Sequence, residues 1–151
     1  MYAEQAVERG MGVLEMMRED GVDPDGDTYT HLMDMCAKAC EAGYIEGASV
    51  AMSLLEDAKL AEGVVGVATF NGMINTFAKG GRYKEALEVA NEMKEMGVER
   101  GIITWNTVMD AVANEAASGR LSGAQTGMEV IEMMEKDGIS PDVTTWNTLL
   151  R

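Results

Sequence analysis

The 151-residue sequence is poor in several residue types on which whole functional classes depend. It has two cysteines, one histidine and two prolines, and only 5% of its residues are aromatic. Basic residues are scarce too: 12 Lys and Arg stand against 26 Asp and Glu, for a formal net charge of −14. No apolar run approaches the roughly 20 residues that span a bilayer, so we expect no membrane insertion.

The scarcity of cysteine and histidine argues against a metal site and against a disulfide framework. Cys36 and Cys40 lie four residues apart in a helical pattern, and His31 is the one further nitrogen ligand nearby. Structural zinc needs four ligands. Free cysteine packs like a small apolar residue. We therefore expect two buried, reduced thiols and no bound metal.

Catalytic and phosphate-binding motifs are missing as well. The sequence contains no nucleophile elbow, no phosphate-cradling glycine-rich loop and no metal-ligand cluster. We expect no enzymatic activity, no cofactor and no small-molecule substrate. The N-terminal residues have neither a basic nor an apolar stretch of the kind found in targeting segments, so we expect no transit peptide within this segment.

What the sequence does contain is a repeat. A Thr followed by an aromatic residue recurs four times, at intervals of 41, 35 and 41 residues: Thr28-Tyr29, Thr69-Phe70, Thr104-Trp105 and Thr145-Trp146. Threonine is a good N-cap, because its hydroxyl accepts a hydrogen bond from an unpaired backbone N–H. The four threonines therefore predict four equivalent helix starts, with the aromatic residues in the core between helices.

The stretch 67–101, VATFNGMINTFAKGGRYKEALEVANEMKEMGVERG, displays one whole unit. Phe70, Met73, Ile74 and Phe77 recur with helical spacing, Gly80-Gly81 ends that helix, and a second amphipathic helix runs on to Gly97. Two helices this short cannot bury their apolar faces alone, so they must pack on neighbouring copies. The sequence thus predicts an all-α solenoid of stacked helix-turn-helix repeats.

The repeat register divides the chain into five segments. We expect the second helix of a partial unit over 1–25, complete units over 26–66, 67–101 and 102–142, and the start of another unit over 143–151. The two 41-residue units carry six additional residues each. We expect three of these to lengthen the first helix and three to lengthen the second.

Several phrases resemble the pentatricopeptide repeat family, namely ATFNGMINTFAKGGRYKEALEVANEMKEMGV, ITWNTVMDAV and GISPDVTTWNTLL. The Trp-Leu-Gly-Tyr pattern of tetratricopeptide repeats is absent from the first helices. The resemblance implies a right-handed superhelix, a location in chloroplasts or mitochondria, and single-stranded RNA binding at one base per repeat.

The resemblance also implies which residues read the RNA. Bases are selected by the fifth and last residues of each repeat, while the second packs against the base and a later lysine meets the backbone. The third unit has the full set, Ile103, Asn106 and Asp142, a combination that favours uracil. Further candidates are Asn71 and Thr30 as fifth residues, and Lys38 and Lys79 for the backbone. Gly66 and Gly101 end the other two units without a side chain.

Two functions remain open at this point. The acidic charge and the glycines at 66 and 101 favour a protein–protein scaffold or assembly subunit of an organellar complex, with protein subunits as partners. The alternative is sequence-selective single-stranded RNA binding. The polar face of the first helices has a balanced charge, and most of the excess acid lies in the second helices. Asn71 and Asn106 either read bases or bridge adjacent units by hydrogen bonds.

Overall fold

The computed structural model describes residues 2–151, and every regular element within that range is an α-helix. The predicted all-α fold is confirmed. The helices are α1 (Tyr2–Glu19), α2 (Gly26–Glu41), α3 (Gly47–Leu60), α4 (Val67–Lys79), α5 (Tyr83–Glu95), α6 (Ile102–Ala117), α7 (Gly123–Lys136) and α8 (Val143–Leu150).

The helices stack in two layers. Helices α2, α4, α6 and α8 are the first helices of successive hairpins, and each contacts the next one along the chain. Each second helix packs between the first helix that precedes it and the first helix that follows it. Every unit is therefore buried by its neighbours, which is the arrangement of an α-solenoid.

The core follows the predicted apolar stripes. The aromatic residues Tyr29, Phe70 and Trp105 are at most 3% exposed, as predicted for core positions. Their fourth counterpart, Trp146, is 45% exposed, because it lies on α8 beyond the last second helix of the stack. The methionines of the stripes are fully buried: Met33, Met73, Met93, Met109 and Met134.

The four helix starts are equivalent, but the prediction that threonine is the N-cap was wrong. The N-caps are Asp25, Gly66, Gly101 and Asp142, and each threonine lies three residues later. The threonine hydroxyl accepts a hydrogen bond from the backbone N–H of the cap residue, as in a capping box. The hydroxyl therefore satisfies the backbone of the cap residue instead of that of the first turn.

The second helices end on glycines in the left-handed conformation. Gly97 and Gly138 have φ of 74° and 77°, and the N–H of the next aliphatic residue donates back to the final turn. Only glycine adopts this backbone without steric cost. The chain is thereby redirected into the following first helix.

The six additional residues of the 41-residue units lie partly where expected. Helices α2 and α6 have 16 residues against 13 in α4, so three residues do lengthen the first helix. Of the other three, two were wrongly placed. Helices α3 and α7 have 14 residues against 13 in α5, so one residue lengthens the second helix and two lengthen the connection inside the hairpin.

An ion pair links each second helix region to the next. Arg18 pairs with Asp57, Lys59 with Glu92, and Arg100 with Asp137. The third pair is the most buried: the Arg100 and Asp137 side chains are 7% and 15% exposed and their N and O atoms lie 2.6 Å apart. The indole N–H of Trp105 donates to the other oxygen of Asp137 at 2.9 Å, and the guanidinium of Arg100 stacks over the indole at 4.8 Å.

Neither thiol is available for chemistry in the folded chain. Cys36 is fully buried and Cys40 is 8% exposed, and both are free, as predicted. Burial, with a smaller contribution from Cys40, raises the pKa of Cys36 to about 12. Between Tyr2 and Arg151, no helix combines the length and the hydropathy needed to cross a membrane.

We expect Asp137→Ala to lower the free energy of unfolding by about 3 kcal/mol, because it leaves Arg100 buried without its partner. Asp57→Ala is the matched control, since it breaks the equivalent pair where the side chains are 46% and 42% exposed, and should cost less than about 1 kcal/mol. Urea unfolding followed by circular dichroism measures both. Equal losses in the two variants would show that burial of the Arg100–Asp137 pair does not increase its contribution to the free energy of unfolding.

We also expect both thiols to resist iodoacetamide at pH 8 in the folded protein. An ordinary thiol with a pKa of about 8.5 is partly ionised at that pH, whereas burial keeps Cys36 protonated. Mass spectrometry of native and guanidinium-unfolded samples tests this. Labelling of Cys36 at the same rate in both samples would contradict the buried placement.

Candidate nucleic-acid interface

One side of each first helix carries a stripe of polar residues. We call this side the first-helix face and define it by residues at helical spacing on three helices: Thr30, Asp34, Lys38, Asn71, Asn75, Lys79, Asn106, Asp110 and Asn114. All of these side chains are exposed or half-buried. Because the first helices contact one another directly, the three stripes lie side by side.

Two asparagines of this face are held by the next unit. The Asn71 side-chain oxygen accepts a hydrogen bond from the Thr104 hydroxyl at 2.7 Å, and that of Asn106 accepts one from Thr145 at 2.5 Å. Both amides are therefore fixed with their oxygen directed at the following helix. Bridging between units, one of the two roles considered for these residues, is thus present in the structure.

Bridging leaves the amino group of each amide available. In the third unit, Nδ2 of Asn106 donates to Oδ1 of Asp142 at 3.2 Å. The amide has a second hydrogen on Nδ2, so it can still donate to a ligand. Asn106 is a fifth residue and Asp142 a last residue, so the structure brings together the two side chains that the resemblance pairs.

Asp142 is set up as an acceptor. Its Oδ1 accepts the backbone N–H of Thr145 at 3.0 Å in addition to Asn106, and these hydrogen bonds lower the pKa of the carboxyl, the backbone contact being the larger cause. Its Oδ2 accepts no hydrogen bond from residues 2–151. The pair therefore presents one donor and one charged acceptor next to each other.

The apolar partner in this unit is Ile103, which is 68% exposed at the start of α6. An isoleucine that exposed has no role in the core. It lies one turn before Asn106 on the same helix and offers an apolar surface beside the polar pair.

The other two units have only part of this set. Asn71 is fixed as Asn106 is, but Gly101 supplies no carboxylate opposite it. Thr30 turns its hydroxyl back to the carbonyl of Gly26 in its own helix at 2.8 Å. Asn147 lies on α8, the last helix of the chain, and is exposed.

The lysines of the first-helix face are paired with acids. Lys38 lies 3.2 Å from Asp34 on the same helix, and Lys79 lies 3.8 Å from Glu41 of the preceding first helix, α2. Arg151, at the end of the chain, pairs with Asp110 at 2.9 Å. The balanced charge expected from the sequence thus takes the form of discrete ion pairs.

Sequence reasoning missed the role of two threonines at this face and two of its charged residues. Thr104 and Thr145 were considered only as helix caps. Each of them, however, lies two residues before the fifth residue of its own unit and next to the asparagine of the preceding unit. Glu41 and Arg151 were not assigned to this face at all. Comparing the threonine of one unit with the asparagine of the preceding unit, instead of residues along one helix, would have suggested these contacts.

Within the described part of the chain, no group of three or more His, Cys, Asp or Glu side chains has the geometry to hold a metal ion.

Comparisons with known proteins agree with this architecture. A family model described as "PPR repeat family" matches residues 65–114, and one described as "Pentatricopeptide repeat domain" matches residues 5–39 and 122–151. One pentatricopeptide repeat-containing protein of Arabidopsis thaliana is 31% identical over 113 residues, which is 74% of this chain and 19% of that protein. A second, named as chloroplastic, is 31% identical over 72 residues, or 48% of this chain and 9% of its own length. The chain thus spans a fifth or less of these relatives.

Solved structures show the same fold. The pentatricopeptide repeat protein PPR10 from maize matches 98% of this chain and 19% of its own chain, with 25% identity and a TM-score of 0.71. PPR10 in complex with an 18-nt psaJ RNA element matches 95% of this chain and 20% of its own, with 28% identity and a TM-score of 0.73. The PPR domain of Arabidopsis protein-only RNase P 1, at 16% identity and a TM-score of 0.69, shares the fold over 98% of this chain and 72% of that one.

The family models match both ends and the middle of the chain, and the curated relatives and the solved structures are proteins of the same type. This chain therefore belongs to the pentatricopeptide repeat family.

Proposed function

We propose that the first-helix face binds single-stranded RNA and that the third unit recognises one base as uracil. The observation that carries this proposal is the pairing of Asn106 with Asp142, in which a fixed amide donor lies 3.2 Å from an ionised carboxylate. The RNA complex of PPR10, which has the same fold and 28% identity, supports RNA as the class of ligand.

The donor and acceptor match the edge of uracil. Uracil offers a carbonyl oxygen next to N3–H, so the Asn106 amino group donates to the first and Asp142 Oδ2 accepts from the second. Cytosine has an unprotonated N3 at that place and would meet the carboxylate with a lone pair. Unstacked bases with free Watson–Crick edges occur in single strands, which is why single-stranded RNA is the expected form.

Packing supplies the second part of recognition. The exposed Ile103 side chain offers a flat apolar contact to a base whose edge reaches Asn106. Contact with a base face contributes affinity without sequence preference, whereas the hydrogen bonds select the base. The second unit, with Asn71 but Gly101, would then contribute affinity and little selection.

The protein–protein scaffold proposed from the sequence has less support. It depended on the acidic charge and on the glycines at 66 and 101, and neither feature identifies a polypeptide partner. The comparisons favour RNA, because a similar structure contains it. A location in a chloroplast or mitochondrion belongs to the same proposal and is supported by the relative named as chloroplastic.

We expect Asp142→Asn to raise the Kd for a fluorescein-labelled U12 oligonucleotide about fivefold to tenfold and to reduce the preference for U12 over C12. The change replaces an acceptor by a donor, which suits N3 of cytosine. Asparagine is also a good N-cap, so α8 keeps its start. Fluorescence anisotropy at 100 mM salt measures both affinities.

The control is Asp25→Asn. Asp25 has φ and ψ of −110° and −175°, against −110° and −176° for Asp142, and makes the same hydrogen bonds with the threonine three residues later. It has no asparagine partner corresponding to Asn106 within residues 2–151. An equal change in U12 affinity for both variants would contradict uracil recognition by the Asn106–Asp142 pair.

We further expect Gly101→Asp to lower the Kd for U12 about fivefold, by supplying the carboxylate that Asn71 lacks. Gly101 has φ and ψ of −113° and −168°, close to those of Asp142, and no atom lies within 4 Å of its missing Cβ. Gly66→Asp is the matched control, because the fifth residue of that unit is Thr30, whose hydroxyl is already engaged. Tighter binding in both variants would indicate a general effect of the new cap.

A further inference from the structure

Four charged residues form a line of alternating charges across four successive units. Glu41 is on α2, Lys79 on α4, Asp110 on α6 and Arg151 directly after α8. The Glu41–Lys79 and Asp110–Arg151 pairs are 3.8 Å and 2.9 Å apart. The charge of Lys79 also acts to lower the pKa of the Asp110 carboxyl on the following first helix. Lys79 is therefore paired with a carboxylate of the preceding unit and interacts electrostatically with one of the following unit.

We infer that Glu41 and Asp110 set the affinity of this face for RNA by competing with phosphate for Lys79 and Arg151. The inference rests on the proposed RNA binding and adds to it two residues that oppose binding. It concerns the phosphate backbone, whereas the Asn106–Asp142 pair concerns one base.

Glu41 owes its position to the longer first helix of the first unit. Lys38 of α2 and Lys79 of α4 are both the thirteenth residue of their helices, and α4 ends there. Helix α2 continues for three more residues, of which Glu41 is the last. Ala39 and Cys40 are buried and anchor this additional turn, while the Glu41 side chain is 62% exposed and reaches across to Lys79. The three additional residues of α2 thus place a carboxylate beside Lys79, which the sequence alone did not reveal.

Asp110 is held more firmly than Glu41. Its side chain is 45% exposed, and burial raises the pKa of its carboxyl while the charges of Arg151 and Lys79 lower it. A carboxylate between two cations and partly withdrawn from water attracts them more strongly than one in open solvent. A phosphate that approaches Lys79 or Arg151 must therefore replace an existing partner.

The competition has a measurable signature in the dependence on salt. A phosphate bound by a free lysine releases about 0.7 cation from single-stranded RNA. When the lysine leaves a carboxylate to make that contact, the freed carboxylate takes up a cation, and the net release is close to zero. Removing the carboxylate restores the release, so binding becomes both tighter and more sensitive to salt.

The test compares Glu41→Gln, Asp110→Asn and the double variant with the wild-type chain. The probe is fluorescein-labelled U12, and anisotropy is measured between 50 and 300 mM KCl. We expect each single change to lower the Kd at 100 mM about fivefold and to steepen the slope of log K against log salt by about 0.7. In the double variant the two steepenings should add.

The control is the pair Glu88→Gln and Glu132→Gln, alone and combined. Both residues are exposed on second helices, so they change the net charge equally but lie away from the first-helix face. Circular dichroism confirms that each variant keeps its helix content. Since Glu41 is largely exposed, its substitution should leave stability unchanged.

The outcomes separate this inference from the proposed function. Binding of U12 only by the Glu41 and Asp110 variants, or tighter binding by them with a steeper slope, supports both. If the wild-type chain binds U12 and these variants match the Glu88 and Glu132 controls, the competition is wrong and RNA binding stands. If no variant binds U12 at any salt concentration, both ideas fail together.

Discussion

The burial of each first helix between neighbouring first helices is the constraint on which the rest of the structure depends. A helix of 13 to 16 residues is marginal in water, so its apolar stripe has to be covered on more than one side. Its own second helix covers one side, and the first helices before and after it cover two others. One side is left, and because every unit is built alike, the uncovered sides fall in line. The candidate interface is a consequence of the stacking.

The capping threonines contribute both to the start of each stacked first helix and to the orientation of side chains on the first-helix face. The hydroxyl of Thr104 closes the start of α6 by accepting the N–H of Gly101, and it also donates to Asn71 in the preceding unit. One residue thus fixes where a helix begins and how the Asn71 amide of the first-helix face is oriented. The same arrangement recurs at Thr145 and Asn106. Pre-orientation of this kind removes the rotational entropy that a free amide would lose on binding a base.

The periodic features of the fold could be predicted from the sequence, and the features that join units could not. Helix starts, apolar stripes and glycine ends repeat in phase, so each copy supports the assignment of the others. The N-cap assignment failed because Thr and Asp both accept backbone hydrogen bonds, and the residue type alone does not decide between the cap and the third helical residue. The Glu41–Lys79 contact escaped prediction although the three additional residues of α2 were expected, because residue type does not show which neighbour the side chain at the end of the extension reaches.

The acidity of the chain and a role in RNA binding are compatible once the location of the charge is considered. At physiological ionic strength, screening limits the range of electrostatic interactions between exposed charges to about 8 Å. Much of the net charge of −14 lies on the second helices and therefore acts weakly across the width of the stack. The acids that matter are those within a few ångströms of Lys38, Lys79 and Arg151. With these cations already paired, non-specific attraction to phosphate is weak. Under the proposed function, hydrogen bonds at positions such as Asn106 and Asp142 would then make up a larger share of the binding energy, and that share is the part that distinguishes one base from another.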